Sequence, residues 1–229
     1  IHAGVHHIES REQLIHTLDT TAAFNHPFMT QEKITGEGIG VFTLFHNGEP
    51  VVFFSHRRIR EKPPWGGVSV LSESTEPDPQ ARKYACDLLK QLKWQGIAMV
   101  EFKRDNRNGL PVLMEINARF WGSLQLAIDS GVDFPYLLYL QSQNLPMPKM
   151  DQYRHCRMRW LLGDLDNLYI TLKSDRRLLP AEYQDKFHVF LSFLLEFLRG
   201  SRSEVLRKDD LSPFIWELRH YIRSMINRK

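Results

Sequence analysis

Apolar and polar positions recur along this chain with two different periods, and the change of period marks its elements. In "VFTLFHNGEPVVFFSH" two β-rich runs flank Asn47-Gly48, the dipeptide of a tight hairpin turn. "GIAMVEFKRDNRNGLPVLMEINARF" predicts a second hairpin, with its turn inside Asp105 to Gly109. Helical spacing runs through "SREQLIHTLDT", where Ser10 and Gln13 have capping-box spacing and Leu14 and Leu18 lie one turn apart. Asp78 and Pro79 open a longer helix whose apolar stripe is Ala81, Ala85, Leu88, Leu89 and Leu92, with Gly96 as its stop. "GSLQLAIDSG" predicts a short helix ending at Gly131, and "DFPYLLYLQSQ" the start of another. "HPFMTQEKI" reads as a strand entering the glycine-rich bend "TGEGIG", and "RRIREKPPWGG" as a charged loop. Past about residue 150 the pattern turns helical. Phe187, Phe190, Leu191, Leu194, Leu195 and Leu198 form one stripe, and Ile215, Leu218, Ile222 and Met225 form another, behind the start signals Ser212 and Pro213.

One strand breaks its own pattern. Val112, Leu113, Met114 and Ile116 belong in a core, yet Glu115, Asn117 and Arg119 are spaced by two among them, which sends all three to one face. If the second hairpin is symmetric about Asn108, Glu101 stands directly opposite Glu115. Like charges opposed across a ladder repel. A divalent cation removes that repulsion, and Mg²⁺ prefers hard oxygen ligands, one or two carboxylates with substrate phosphates. Asn117 adds a carbonyl oxygen on the same face, and the planar fork of Arg119 suits a phosphate. The bland alternative is a half-exposed strand with Glu–Arg pairs on its wet face, and polar alternation alone weighs about evenly between the two.

Composition narrows the partners. The 229 residues are 42% hydrophobic and 25% charged, an ordinary globular balance for one large domain or two small ones. The net charge of +3 comes from beyond residue 150, where 15 Lys and Arg meet 11 Asp and Glu against 15 and 16 before it, and is too mild to argue for nucleic acid. Cys86 and Cys156 are too few for a disulfide framework and lack metal-site spacing, which points to a reducing, cytoplasmic setting. No run approaches the roughly 20 apolar residues of a membrane span.

"MEINARFWGS", with "AMVEFK" upstream, resembles the C-terminal half of an ATP-grasp domain, in the carboxylate–amine ligase-like group related to carbamoyl-phosphate synthase large chains. The resemblance covers roughly Ile8 to Leu162. It implies ATP and Mg²⁺, or Mn²⁺, as cofactors, with Glu101, Glu115 and Asn117 on the metal and Arg119 on phosphate and on an acyl-phosphate intermediate. "FMTQEKITGEGIGV" is similar to the strand that carries adenine in that fold. Backbone groups near Lys33 and Ile34 would meet the base, and Glu32 or Glu37 the ribose. Arg58, in the charged loop, suits a phosphate or an anionic substrate. Members of the family also have an N-terminal α/β domain and a strand Lys on the α-phosphate. The chain therefore reads as the C-terminal part of a longer protein, inactive alone.

The expected fold is α+β: an ATP-grasp-type antiparallel sheet with packed helices over residues 1–162, then a helical C-terminal extension over 163–229. The expected function of the whole protein is ATP-dependent ligation of a small-molecule carboxylate to an amine through an acyl phosphate. The oligomeric state stays open, a dimer included. Two other classes remain: a nucleotide-binding regulatory module without catalysis, and an interaction protein acting through its basic helical tail.

Overall fold

A computed structural model describes residues 5–148, 150 and 152–226. Its centre is a sheet of seven strands: β1 (Gly38–His46), β2 (Glu49–Lys62), β3 (Val68–Thr75), β4 (Gly96–Arg104), β5 (Pro111–Asn117), β6 (Arg157–Arg159) and β7 (Arg202–Ser203). Their spatial order is β5-β4-β1-β2-β3-β6-β7. Every pairing is antiparallel except β6 with β7. The helices are α1 (Arg11–Thr20), α2 (Pro79–Gln91), α3 (Leu124–Ser130), α4 (Phe134–Ser142), α5 (Leu161–Lys173), α6 (Lys186–Leu195) and α7 (Ser212–Ile226). The α+β class expected from the two periods is the one observed.

Alternation along the central strands makes two apolar layers. Val41 and Phe45 of β1 with Ala98, Val100 and Phe102 of β4 pack on Ala81, Ala85 and Leu89 of α2. The opposite face carries Phe42, Leu44, Val52, Phe54, Ile97 and Met99, covered by Leu126, Val132, Phe134 and Leu137 around α3 and α4. Two-residue parity places Met99, Glu101, Glu115 and Asn117 on this second face, beyond the edge of its helical cover.

Several sequence expectations change in detail. Residues 27–35 take no regular structure, because no strand lies alongside to pair with them. They are held instead where Thr35 and Glu37 accept the backbone N–H groups of Asn106 and Arg104. Gly36 allows that approach: a Cβ there would lie 1.6 Å from the Arg104 carbonyl oxygen. The charged loop expected over 57–67 is strand as far as Lys62, and its turn occupies only 63–67. Its charges are matched by residues remote in sequence, Arg60 by Asp164 at 2.7 Å and Arg57 by Glu73. Helix α2 ends at Gln91, not at Gly96. Lys93 takes the left-handed conformation (φ 49°), and Trp94 N–H closes onto the Leu89 carbonyl at 2.9 Å. The Phe/Leu stripe of α6 is not buried; Phe187 and Leu198 are 74% and 83% exposed, and Val189 and Phe193 face inward instead.

The β2–β3–β6 end of the sheet meets the helical tail through charge. Asp164 of α5, fully buried, binds Arg60 of β2 through both oxygens at 2.7 Å and Arg159 of β6 at 2.7 Å. Arg157 joins Glu196 at 2.7 and 2.9 Å and Glu73 at 3.1 Å. Helix α7 has no fully buried side chain. Its hydrogen bonds to the body include Trp160 Nε1 to Glu217 at 2.5 Å and Tyr221 to Asp166 at 2.6 Å.

Candidate active site

The β4–β5 register puts Glu101 opposite Glu115 and Met99 opposite Asn117, the pairing expected from symmetry about Asn108. A one-residue shift between Glu101 and Phe102 changes the pairing toward the turn and leaves the carboxylate pair aligned. Asn117 Nδ2 donates to Glu101 Oε2 at 3.1 Å and to Glu115 Oε1 at 2.8 Å. Burial raises the pKa of Glu101, and the bond to Glu115 raises it further. Glu115 is lowered, by its bonds to Glu101 and then to Asn117, so Glu101 is the weaker acid of the two.

Arg58 reaches this row from β2, two strands away. Its guanidinium lies 3.3 Å from Glu101 Oε1 and 3.1 Å from Glu61 Oε1. It can do so because β1, the strand between, presents glycine on that face. Gly40 stands opposite Glu101 and Gly38 opposite Lys103. A side chain at Gly40 would press on the Phe42 ring at 3.0 Å and roof the trough.

Arg119 is not in the strand row. β5 ends at Asn117, and Arg119 lies in a bend beyond it, exposed, donating to the Phe120 carbonyl at 3.1 Å. It makes no ion pair with either carboxylate, though its charge acts on both. Arg119 therefore supplies no Glu–Arg pair to the row, whereas Arg58 does.

The residues expected near a nucleotide base lie just before β1, beside Arg104 and Asn106 at the turn end of β4. Ile34 is buried, and Lys33 and Glu37 are exposed around the close approach of Gly36 to Arg104. Glu32 pairs with Arg107 of the β4–β5 turn at 2.7 Å. Among the described residues no cluster of three or more His, Cys, Asp or Glu could hold a metal; the metal-type set is two carboxylates and an amide.

A cavity of about 540 Å³ adjoins the row, and sequence reasoning did not find it. Arg58 and Met99 belong to its wall, together with His56, Trp121, Trp160, Glu204 and Glu217. His56 stacks on Phe42 at 4.8 Å, and burial beside Arg58 lowers its pKa to about 3, so its ring is neutral. Glu204 is pushed up to about 7, by burial first and by Glu217 second. The one local sequence signal for this side of the site is the glycine alternation of "GEGIG"; Glu204 and Glu217 come from the tail and have none.

With this geometry in place, the comparisons with known proteins fall into order. The family described as "ATP-grasp in the biosynthetic pathway with Ter operon" matches residues 24–162, and the chain belongs to it. No curated protein sequence matches the chain. Among solved structures, it is similar to phosphoribosylamine–glycine ligase from Thermotoga maritima, at 13% identity and a TM-score of 0.44, over 55% of this chain and 36% of that one. The phosphoribosylaminoimidazole carboxylase ATPase subunit from Aquifex aeolicus gives 14%, 0.46, 56% and 38%. N5-carboxyaminoimidazole ribonucleotide synthetase from Thermus thermophilus gives 15%, 0.44, 65% and 41%. The chain thus spans well under half the length of these proteins. Among its described residues no helix is long and apolar enough to cross a membrane.

Proposed function

We propose that the protein to which this chain belongs is an ATP-dependent ligase that activates a small-molecule carboxylate as an acyl phosphate and passes the acyl group to an amine. The observation that carries this reading is the convergence of Glu101, Glu115 and Asn117 across β4–β5, with Arg58 brought to them over Gly38 and Gly40.

The donor set fits Mg²⁺. Two opposed carboxylates are relieved by a divalent cation, and Asn117, whose amide N–H group bridges both, would turn its amide oxygen to the ion. When bound, Mg²⁺ would neutralise the polyphosphate and polarise the transferring γ-phosphoryl group. Glu101, Glu115 and Asn117 would hold it, and Mn²⁺ would serve the same oxygens. Arg58 lies beside the row, on the trough floor, where an anionic substrate would rest. Arg119, exposed and without a carboxylate partner among the described residues, would swing onto the transferring phosphoryl group. Lys33 and Ile34 would offer backbone groups to adenine, and Glu32 or Glu37 would face the ribose. The substrate carboxylate attacks the γ-phosphorus, ADP leaves, and the amine displaces phosphate from the acyl phosphate. A reducing, cytoplasmic setting for this enzyme is supported by the free thiols of Cys86 and Cys156.

Arg119→Lys in the full-length protein tests it. The charge stays and the fork is lost, so ADP release should fall about a hundredfold or more, corresponding to on the order of 3 kcal/mol, with ATP affinity changed far less. An Arg119→Lys enzyme with near-normal turnover would remove Arg119 from the chemistry.

A further inference from the structure

The cavity beside the carboxylate row is built unevenly. Arg58, at the row, is its cation, and it is already held by Glu61 and Glu101. His56 adds no charge. The opposite wall comes from the tail, with two carboxylates, Glu204 and Glu217. Glu204 makes no side-chain hydrogen bond or ion pair among the described residues. Glu217 accepts from Trp160 Nε1 through one oxygen, while its Oε2 is buried without a partner. Trp121, only 6% exposed and packed on Phe42 and Phe134, lines the same space with its Nε1–H unpaired.

Buried polar groups are paired in folded proteins, and each one left over asks for a partner. Here the unmet buried groups are one carboxylate oxygen, Glu217 Oε2, and one N–H, Trp121 Nε1, with the unpaired Glu204 carboxyl beside them in the cavity wall. Together they call for a ligand with a positively charged donor and an oxygen acceptor. They also repel phosphate and carboxylate, which leaves the anionic half of the reaction to the Arg58 end.

We infer that this cavity is the seat of the amine cosubstrate, an organic ammonium that also carries an oxygen acceptor, gripped by Glu204 and Glu217 of the tail and by Trp121 Nε1. The inference rests on the ligase reading for the word cosubstrate and on the cavity alone for the ligand's charge. It makes the tail, which lies outside the matched family segment of residues 24–162, part of the site.

Calorimetry on the full-length protein without ATP, using leucinamide, isocaproamide and isocaproate, tests it. The three probes share a carbon skeleton and carry a positive, a neutral and a negative polar end. Leucinamide should bind saturably, isocaproamide at least tenfold more weakly, and isocaproate not measurably. Glu204→Gln and Glu217→Gln should each weaken leucinamide at least tenfold with melting curves kept. If either unfolds, Trp121→Phe, which keeps the ring and removes the N–H, should weaken it instead. Equal binding of all three probes, binding of none, or unchanged leucinamide affinity in the folded variants would overturn the assignment. ADP release in the same samples separates the two readings. Leucinamide binding with no ADP release under any acid–amine pair removes the ligase and leaves the cation pocket. ADP release that both Gln variants leave intact removes the pocket's role.

Discussion

The middle of the sheet and its border with the helical tail are held by different chemistry. From β1 to α4 the contacts are apolar: Phe42, Phe54, Phe134 and Leu137 are essentially closed to solvent, and α2 lies on the other face over Val41, Phe45 and Val100. Where the sheet meets the tail, charged groups are closed as well, beside a small apolar cluster of Leu168, Leu179, Tyr183, Val189 and Phe193. Asp164, Arg60 and Arg159 form one cluster, and Arg157 and Glu196 another. An apolar layer asks only for volume and alternation, so many sequences satisfy it. An ion cluster asks for particular partners at particular distances, because a buried charge without its counterion costs several kcal/mol. The first region tolerates change and the second does not.

The largest break in that contrast is Asp164→Asn. The shape is kept, but two buried guanidinium groups lose their counter-charge, and stability should fall by about 3–5 kcal/mol in denaturant titrations. A loss below about 1 kcal/mol would mean that solvent reaches the cluster and the contrast is wrong.

A second effect follows from Glu204. Its folded pKa of about 7 lies above the ordinary 4.5, so between these values the folded state binds more protons than the unfolded one. Its contribution to stability is therefore fully present below pH 4.5 and is lost as pH rises to about 7, by up to about 3 kcal/mol. Chemical melts from pH 4 to 8 should show this decline in the unliganded protein, and Glu204→Gln should flatten it. A wild type as flat as the variant would put Glu204 in water.

The smallest effect belongs to the apolar side. Leu137→Met conserves volume at a site 1% exposed, and should cost less than about 1.5 kcal/mol by the same titration. A cost equal to that of Asp164→Asn would erase the difference between the regions.

Legibility follows the same line. The Asn47-Gly48 turn, the Asp78 cap and the Glu101–Glu115 register are local or symmetric about a turn, and each appears where the sequence puts it. The carboxylate row and its amide could be read for that reason. Arg58 could be picked out only by its charge, and the loop drawn around it is strand, since nothing near Arg60 in sequence announces Asp164 more than 100 residues later. β3 carries strand residues but was overshadowed by the prolines and glycines before it. The exposed stripe of α6 shows the limit from the other side: helical spacing of apolar residues states that a face exists, not that anything covers it. The acids of the cavity were beyond reach, because their meaning depends on where a distant helix comes to rest.

That helix, α7, closes the cavity while burying none of its own side chains completely. A wall anchored by polar bonds such as Trp160 to Glu217 and Tyr221 to Asp166 has little apolar area to lose when it lifts. Its amide protons should then trade with solvent long before those of β1 and β4. Traffic through the cavity would keep the time of a helix detaching rather than of a sheet unfolding. A ligand bridging Glu217 to the sheet would slow both clocks together.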